Sequence, residues 1–555
     1  MRAETYSDEG SSPPPRTSAI SGTILFFAVI ALVLYAYLPS LRHIPRADQI
    51  YYFCEASRFT NPLHPDILSL SLGTLSFNRT RIFAPGDYLL FRPLFFLFLA
   101  LEYTFFRGNA FPYQLTGLLL HLILLWRFAV LLRRLFPDPL HGVFVIFFSV
   151  LSVSAEAVIW QHVNGYILFE ILLLLFFDRF FLWLRTARLW YLRVATAWLI
   201  LAGFTYELGV VVAALGFALS FSLPCPRDGA AARRHFSFAF FLLAGLNLLD
   251  LIVRWPHIPM APSGFQTLPS SFSKILLPFL FLPGYWIRAA LLPATNYRFL
   301  TLPRLTILPR HVVGSSTSSF LSAAFLALAL FALILLALRE VLLSRNKTSR
   351  ADRSFLSFAG CFLFLLNGAY LLLISAGRIL PREITYVFWN PNWSSPFWLY
   401  LLLFLAVVMN LARVGLARTF PPERRALAAV LFTLFLLLTA DNAALTRQIN
   451  LRYADEMAPQ RRFLAALSRF VERHRNEPDF SFAWTRIPRM DSTGYTPNVV
   501  RPDGSYAPQP LFYAQSLYGS LISTDPKYRV RYDPKKGEID EEVVVNETSL
   551  PPARP

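Results

Sequence analysis

Charge and cysteine are what this chain has least of. Only 15% of its 555 residues are Asp, Glu, Lys or Arg, too few to coat a soluble globule of that length. The three cysteines, Cys54, Cys225 and Cys361, have neither paired nor metal-type spacing, so neither a disulfide framework nor a zinc site is indicated. No Gly-rich nucleotide cradle occurs, and no internal repeat is visible. The first apolar run lacks a small-residue cleavage site before Arg42, and therefore reads as a retained anchor.

What the chain has in excess is apolar side chains: 55% of residues are hydrophobic and 16% aromatic. They fall in blocks of about 20 residues, the length a helix needs to cross roughly 30 Å of hydrocarbon with its backbone hydrogen bonds closed internally. The expected fold is an all-α polytopic membrane protein. The net charge of +18 arises from arginines in short segments between the blocks, not on one amphipathic face. They read as topology signals and contacts to membrane lipid, with no nucleic-acid partner.

Cytoplasmic flanks of short loops collect Lys and Arg, and this bias assigns a side to each bend. Residues 1–19 form a cytoplasmic tail, and 20–38 exits. The span 112–132 ends in Arg133-Arg134 and returns, so 39–111 lies outside. Within that loop 89–106 is apolar but holds Arg92, Pro93 and Glu102, and reads as a juxtamembrane helix along the outer surface. Residues 142–160 go out and 165–184 come back, because 161–164 carries no Lys or Arg whereas Arg185, Arg188 and Arg193 follow. Basic flanks at both ends make 194–223 a hairpin of two short helices with Glu207 near its outer turn.

Residues 236–255 exit, and 256–316 form a second long outer loop with an apolar, proline-interrupted helix at 275–292. Residues 318–343 return to Arg345, Lys347, Arg350 and Arg353. Residues 354–375 exit, 378–395 lie outside, 397–416 come in toward Arg418, Arg424 and Arg425, and 426–445 leave. The transmembrane region 20–445 thus has about eleven spans. A crossing by 275–292 would put the two later basic segments outside, against the bias, although Arg298, Arg304 and Arg310 favour it. The protein is expected in the inner or plasma membrane, with its N-terminus cytoplasmic and its C-terminus extracytoplasmic.

Beyond residue 445 the character changes. Residues 458–476 have helical apolar spacing at Phe463, Leu464, Leu467, Phe470 and Val471, followed by short alternating runs. A small extracytoplasmic α/β cap is expected over 446–534. From Lys535 the chain is acidic and then proline-rich, so 535–555 is expected to be disordered.

The outer loop 39–111 gathers the ingredients of a site: Arg46, Asp48, Tyr51, Tyr52, Glu55, Arg58, Asp66, Arg79, Arg81, Asp87 and Arg92. Asp48 lies about ten residues past the first span, where a carboxylate would serve an enzyme of lipid-linked substrates as its base. Cationic side chains nearby would meet the negative charge of a departing lipid phosphate. The plain alternative is a loop of solvated charges.

Inside or at the edge of the membrane, Glu156 and Glu207 are functional candidates by default, because an ionisable group is expensive there. They equally suit pairing with arginines that fixes helix packing. His121 reads as a hydrogen bond to a neighbouring helix. Asp250 and Arg254, one turn apart, read as an ion pair. Phe388, Trp389 and Trp393 read as interfacial anchors, with an aromatic wall as the alternative.

Asp48, Phe91-Arg92-Pro93-Leu94, Asn109 through Tyr113, Leu118-Leu119-Leu120-His121, Arg133-Arg134-Leu135 and Ala155-Glu156-Ala157-Val158-Ile159-Trp160 occur in that order. The series resembles the multispanning glycosyltransferases of the GT-C type, particularly the branch of protein O-mannosyltransferases and their tetratricopeptide-repeat relatives, without the repeats. The resemblance implies a GT-C-like fold. It also implies transfer of a sugar from a polyprenyl-phosphate donor to an extracytoplasmic acceptor, which can be protein, lipid or glycan. Asp48 carries over as general base. Arg92, Glu156, His162, Glu207, Arg382 and Tyr386 carry over as substrate-binding residues, with Arg92 or Arg382 meeting the phosphate charge. Many relatives have two adjacent acids where this chain has Ala47-Asp48, and a lysine where it has Tyr206. No metal ligands are identified, and use of a divalent metal stays open. The rival readings are a polytopic transporter or flippase and a polysaccharide polymerase or ligase of the cell envelope, with a non-catalytic scaffold third.

Overall fold

The computed structural model describes residues 16–44, 66, 92–107, 109–136, 141–159, 164–222, 229–254, 350–374, 394–416, 422–486, 521–523 and 525–544, with short pieces between 282 and 290 and at 499–500 and 506–507. These residues are mostly helical, with a small sheet near the C-terminus. Three stretches, Thr23–Arg42, Ala110–Leu135 and Phe355–Ile374, are long and apolar enough to cross a membrane.

Helix α1 (Arg16–Tyr37) has 22 residues, about 33 Å at 1.5 Å per residue, and presents Ile24, Phe26 and Phe27 outward. Helix α2 (Pro93–Phe106) begins on a proline whose fixed φ suits a first turn. Helix α3 (Ala110–Leu135) is capped by the Asn109 side chain, which accepts from the Phe111 N–H. Its last turn carries Arg133 and Arg134, which complement the helix dipole.

The expected single span at 142–160 is broken. Helix α4 (His141–Ser149) stops, a 3-10 turn occupies Ser152–Ser154, and α5 (Ala155–Ile159) resumes. Hydropathy registers only that the block is apolar; the break is encoded in polar partners far away in sequence. An imidazole nitrogen of His121 lies 2.9 Å from the Ser149 carbonyl. Thr446 donates to the Val150 carbonyl at 3.3 Å, and Asn442 Oδ1 accepts from both the N–H and the hydroxyl of Ser152 at 3.1 and 2.8 Å. Irregular backbone survives in an apolar medium where side chains take up its freed groups.

Helix α6 (Asn164–Thr186) follows, anchored at its far end where Asp178 pairs with Arg134 of α3. At its near end the backbone of α3 approaches so closely that a Cβ on Gly117 would lie 2.6 Å from the Val158 carbonyl oxygen and 2.9 Å from Asn164 Oδ1. Helices α7 (Leu189–Thr205) and α8 (Leu208–Ser222) form the expected hairpin, turning at Tyr206 and Glu207. The fold-back is tight: a Cβ on Gly209 would sit 2.4 Å from the Gly203 Cα. Helices α9 (Gly229–Arg254), α10 (Arg350–Ile374) and α11 (Ser394–Leu416) complete the packed bundle with phenylalanines such as Phe176, Phe177, Phe180 and Phe362 at its centre. In the 275–292 segment, Leu282, Trp286 and Ala290 are buried in the same core, at four-residue helical spacing. Residues 318–343 lie outside the described residues.

Helix α12 (Pro422–Glu456) runs well past residue 445, so the boundary expected there falls within a helix. Its later turns hold the end of α1: Arg447 donates to the Tyr35 carbonyl at 2.7 Å and Asn450 to the Ala36 carbonyl at 2.9 Å. After Met457 comes α13 (Ala458–Arg473), whose Phe463, Leu464, Leu467, Phe470 and Val471 are all buried, as their spacing predicts. They pack on a three-stranded sheet in which β1 (Phe482–Arg486) lies parallel to β4 (Tyr528–Asp533), and β4 antiparallel to β5 (Glu538–Val543). A two-residue pair, β2 (Val499–Val500) and β3 (Tyr506–Ala507), lies apart from it.

Strand β5 corrects the expectation of disorder from Lys535. Acidic composition suggested a solvated tail, but Ile539 is buried. Arg529 faces Glu542 and Arg531 faces Asp540 across the ladder, so the acids are matched by opposite charge. Residues beyond Val544 lie outside the described residues.

The apolar core of the cap also includes Phe96, Leu99, Ala100 and Tyr103 of α2. Arg107 pairs with Glu472 at 3.8 Å at the end of that helix. Helix α2 is thus gripped at one end by the cap, and its N-terminus reaches the turn between α7 and α8.

Candidate functional site

The Arg-Pro-Leu stretch and the Tyr-Glu pair, 115 residues apart, meet at that turn. Arg92 is the residue before Pro93 and caps the start of α2. Its Nε donates to Glu207 Oε2 and its Nη2 to Oε1, both at 2.8 Å, the planar fork geometry that makes arginine specific for a carboxylate. The guanidinium lies 4.5 Å from the Tyr206 ring centroid and 5.9 Å from that of Tyr166, an arrangement that attracts a cation. The Tyr206 and Tyr166 rings meet edge-on at 4.8 Å, and Phe169 closes the other side at 5.3 Å. Side-chain exposure is 10% for Arg92 and 22% for Glu207, so the pair forms the solvent-facing end of the cluster.

The polar trail continues inward. Tyr206, on the α7–α8 turn, lies within electrostatic range of Tyr370 of α10. The Tyr370 ring stands 6.1 Å from that of Tyr400 on α11, nearly perpendicular to it. Tyr400 in turn feels the carboxyl of Glu170 on α6. Glu170 is fully buried and accepts from the Ser395 hydroxyl, which lies 2.9 and 3.2 Å from its two oxygens. Beside it the hydroxyls of Ser394 and Ser154 are 3.0 Å apart, tying the start of α11 to the broken span. The site is therefore a column of hydroxyls and carboxyls through an apolar bundle, with an arginine at its mouth. It holds one charge at the mouth by pairing and keeps a carboxyl and hydroxyls at its buried end.

Of the residues expected to act, Arg92 and Glu207 are brought together directly. Glu156 lies in α5 and Arg254 ends α9, their side chains outside the described residues; Asp48, His162, Arg382 and Tyr386 lie outside them entirely, as do Phe388, Trp389 and Trp393 of the other readings. His121 bonds a neighbouring helix, as read from its position. Sequence reading missed Glu170, although one signal was available: a carboxyl inside the apolar run 165–184 is costly enough to demand a reason. It also missed Glu102, which is buried and faces Asn164 at the start of α6. The aromatic and hydroxyl partners Tyr166, Tyr400 and Ser395 carried no such signal. Among the described residues no group of three His, Cys, Asp or Glu side chains is placed to hold a metal ion.

A second charged cluster lies in the cap. His474 stacks on Phe480 and sits 2.5 Å from Glu477 and 2.6 Å from Glu541 through its two ring nitrogens. Tyr528 donates to Glu477 at 2.8 Å, and Lys527 lies 3.0 Å from the same carboxylate. These partners hold the Glu477 carboxyl down at about 2, His474 contributing most, and the carboxylate in return pushes the Tyr528 phenol up to about 12. The cluster joins the end of α13 to β4 and β5, and it reads as a structural clasp.

No family model matches the chain, and no curated protein matches it.

Proposed function

We propose that this chain is an integral membrane glycosyltransferase that moves a sugar from a polyprenyl-phosphate donor to an acceptor outside the cytoplasm. The reading rests on the ordered motif series from Asp48 to Trp160 and its GT-C resemblance. One contact is in keeping with it: Arg92 and Glu207, both carried over by that resemblance, form a two-pronged ion pair. In the proposed reaction Asp48 takes the proton of the acceptor hydroxyl or amine. The freed electron pair attacks the anomeric carbon, and the bond from that carbon to the phosphate oxygen breaks, so that polyprenyl phosphate leaves with the bonding pair. Arg92 or Arg382 meets the phosphate charge. Glu207, already engaged by Arg92, is then a positioning residue: it fixes the plane of the guanidinium.

The broken span and the buried Glu170 favour a second reading, a polytopic transporter or flippase, since interrupted helices and intramembrane carboxyls mark substrate paths. Mass spectrometry of envelope glycans and glycolipids separates the two. It requires a deletion strain complemented with wild type, Asp48→Asn or Arg92→Lys at equal membrane levels. Transfer chemistry predicts a glycan lost on deletion and restored by wild type, absent with Asp48→Asn and reduced with Arg92→Lys. Full restoration by Asp48→Asn would remove the catalytic assignment and leave transport.

A further inference from the structure

Glu170 raises a question that the proposed reaction does not answer. It lies about 9 Å along α6 from Asn164 at 1.5 Å per residue, and its neighbours in sequence, Phe169, Ile171, Leu172, Leu173 and Leu174, are all buried. An ionised carboxylate in such surroundings costs several kcal/mol unless a cation or several donors satisfy it. Among the described residues no Lys, Arg or His forms an ion pair with it. Ser395 reaches both oxygens but has one proton to donate. Ser394 and Ser395 open α11, and the helix dipole there is worth about 0.3–2 kcal/mol to a carboxylate, short of the desolvation cost. The balance calls for one positive charge.

A second feature points the same way. Tyr400 Oη is fully buried and has no hydrogen-bond partner among the described residues, yet it lies within reach of the charge on Glu170. A buried hydroxyl left unmade costs about 1–3 kcal/mol, and one ligand beside the carboxyl would satisfy both groups. The donors available there are oxygens alone: Glu170, Ser395 and Tyr400, with the Ser154 and Ser394 pair adjoining. Oxygen donors suit hard cations, and a single carboxylate balances a single charge. We infer that Glu170, Ser395 and Tyr400 form an intramembrane site for one monovalent cation, H⁺ or Na⁺. Its route to the outside is the trail through Tyr370 and Tyr206 to the Arg92–Glu207 pair. Among the described residues the other charged or titratable groups facing Glu170 are Tyr400 from α11 and, one step further along, Tyr206.

The test uses the purified full chain in nanodiscs, with thermal unfolding measured across pH and across Na⁺ at constant ionic strength, choline replacing Na⁺. Glu170→Gln keeps the shape and hydrogen-bonding reach of the side chain but removes the charge that the cation balances. Wild type is expected to lose stability as pH rises in choline, with Na⁺ restoring it if Na⁺ is the ligand, and Glu170→Gln should lack both responses. The cap's own titrations are common to both proteins and cancel in the difference. Tyr400→Phe retains the carboxyl and should weaken cation binding about tenfold, which carries the test if Glu170→Gln does not fold. Peptide mapping after treatment with dicyclohexylcarbodiimide, which adds only to a protonated carboxyl, tells the two ligands apart. Modification of Glu170 that falls with pH and ignores Na⁺ identifies the proton, and modification suppressed by Na⁺ but not by choline identifies sodium. Identical pH and Na⁺ responses in wild type and the variants would overturn the inference.

Discussion

The contact between Arg92 and Glu207 can be tested as a contact, separately from any activity. Glu207→Gln removes the carboxylate from a guanidinium whose side chain is 10% exposed. The amide accepts one hydrogen bond where two were accepted, and turns an N–H toward the other donor. Breaking a buried pair by removing one partner costs about 3–5 kcal/mol; with Glu207 22% exposed, water carries part of that load and about 3 kcal/mol is expected. Arg92→Met leaves the more exposed partner behind and should cost less, about 2 kcal/mol by the same reasoning. The double variant leaves no stranded charge, and its cost should not exceed that of Arg92→Met alone. The cycle therefore predicts a coupling of about 3 kcal/mol, the upper end for residues in direct contact. The assay is reversible unfolding of the solubilised full chain, with hydrogen exchange over residues 203–210 to confirm that the change is local. Additivity of the two single variants within about 0.5 kcal/mol would refute the ion pair and the joining of α2 to the α7–α8 turn.

Asn442→Leu should destabilise the bundle by about 2–4 kcal/mol, because Asn442 accepts twice from Ser152 and donates to the Ala290 and Leu438 carbonyls; faster hydrogen exchange at Ser152 would report it, and unchanged exchange would contradict it. Gly209→Val places side-chain carbon against the backbone of Gly203, so the hairpin should fail to close and membrane yield should fall, whereas Gly245→Ala, with open space around it, should be tolerated. In the cap, Glu477 is held down to about 2, so its contribution is present above its ordinary value near 4.5 and is lost as pH falls from there toward 2. Tyr528 is pushed up to about 12, so its contribution is present below pH 10 and is lost as pH rises from 10 toward 12. Hydrogen exchange of β4 and β5 should therefore accelerate at both extremes, and Tyr528→Phe should abolish the alkaline limb while leaving an acid one.

The helices that stand out as apolar blocks with charged or capped ends were legible in the sequence. Basic residues in the last turns of α3 and α6 and on both flanks of the 194–223 hairpin set those bounds to within a few residues, and the pattern from Phe463 to Val471 gave the buried face of α13. What escaped was structure held by partners distant in sequence. The break after Ser149 exists because His121, Asn442 and Thr446 take up its backbone groups, and the apolar run itself carries no trace of it. Strand β5 looked like a solvated acidic tail because the arginines that match it belong to β4. At the site, Arg92 and Glu207 were each named, but only the fold shows them joined. Glu170 was visible as a charge within the apolar run 165–184 and was passed over because no motif included it.

The most direct test of the central claim is chemical. Purified wild type and Asp48→Asn, reconstituted with the envelope's own pool of lipid-linked sugars and acceptors, are compared for release of polyprenyl phosphate by mass spectrometry. The account predicts release that is stoichiometric with a new glycoside and is lost in Asp48→Asn. Lipid-linked sugar that crosses the bilayer unchanged, or equal release by both proteins, would contradict it.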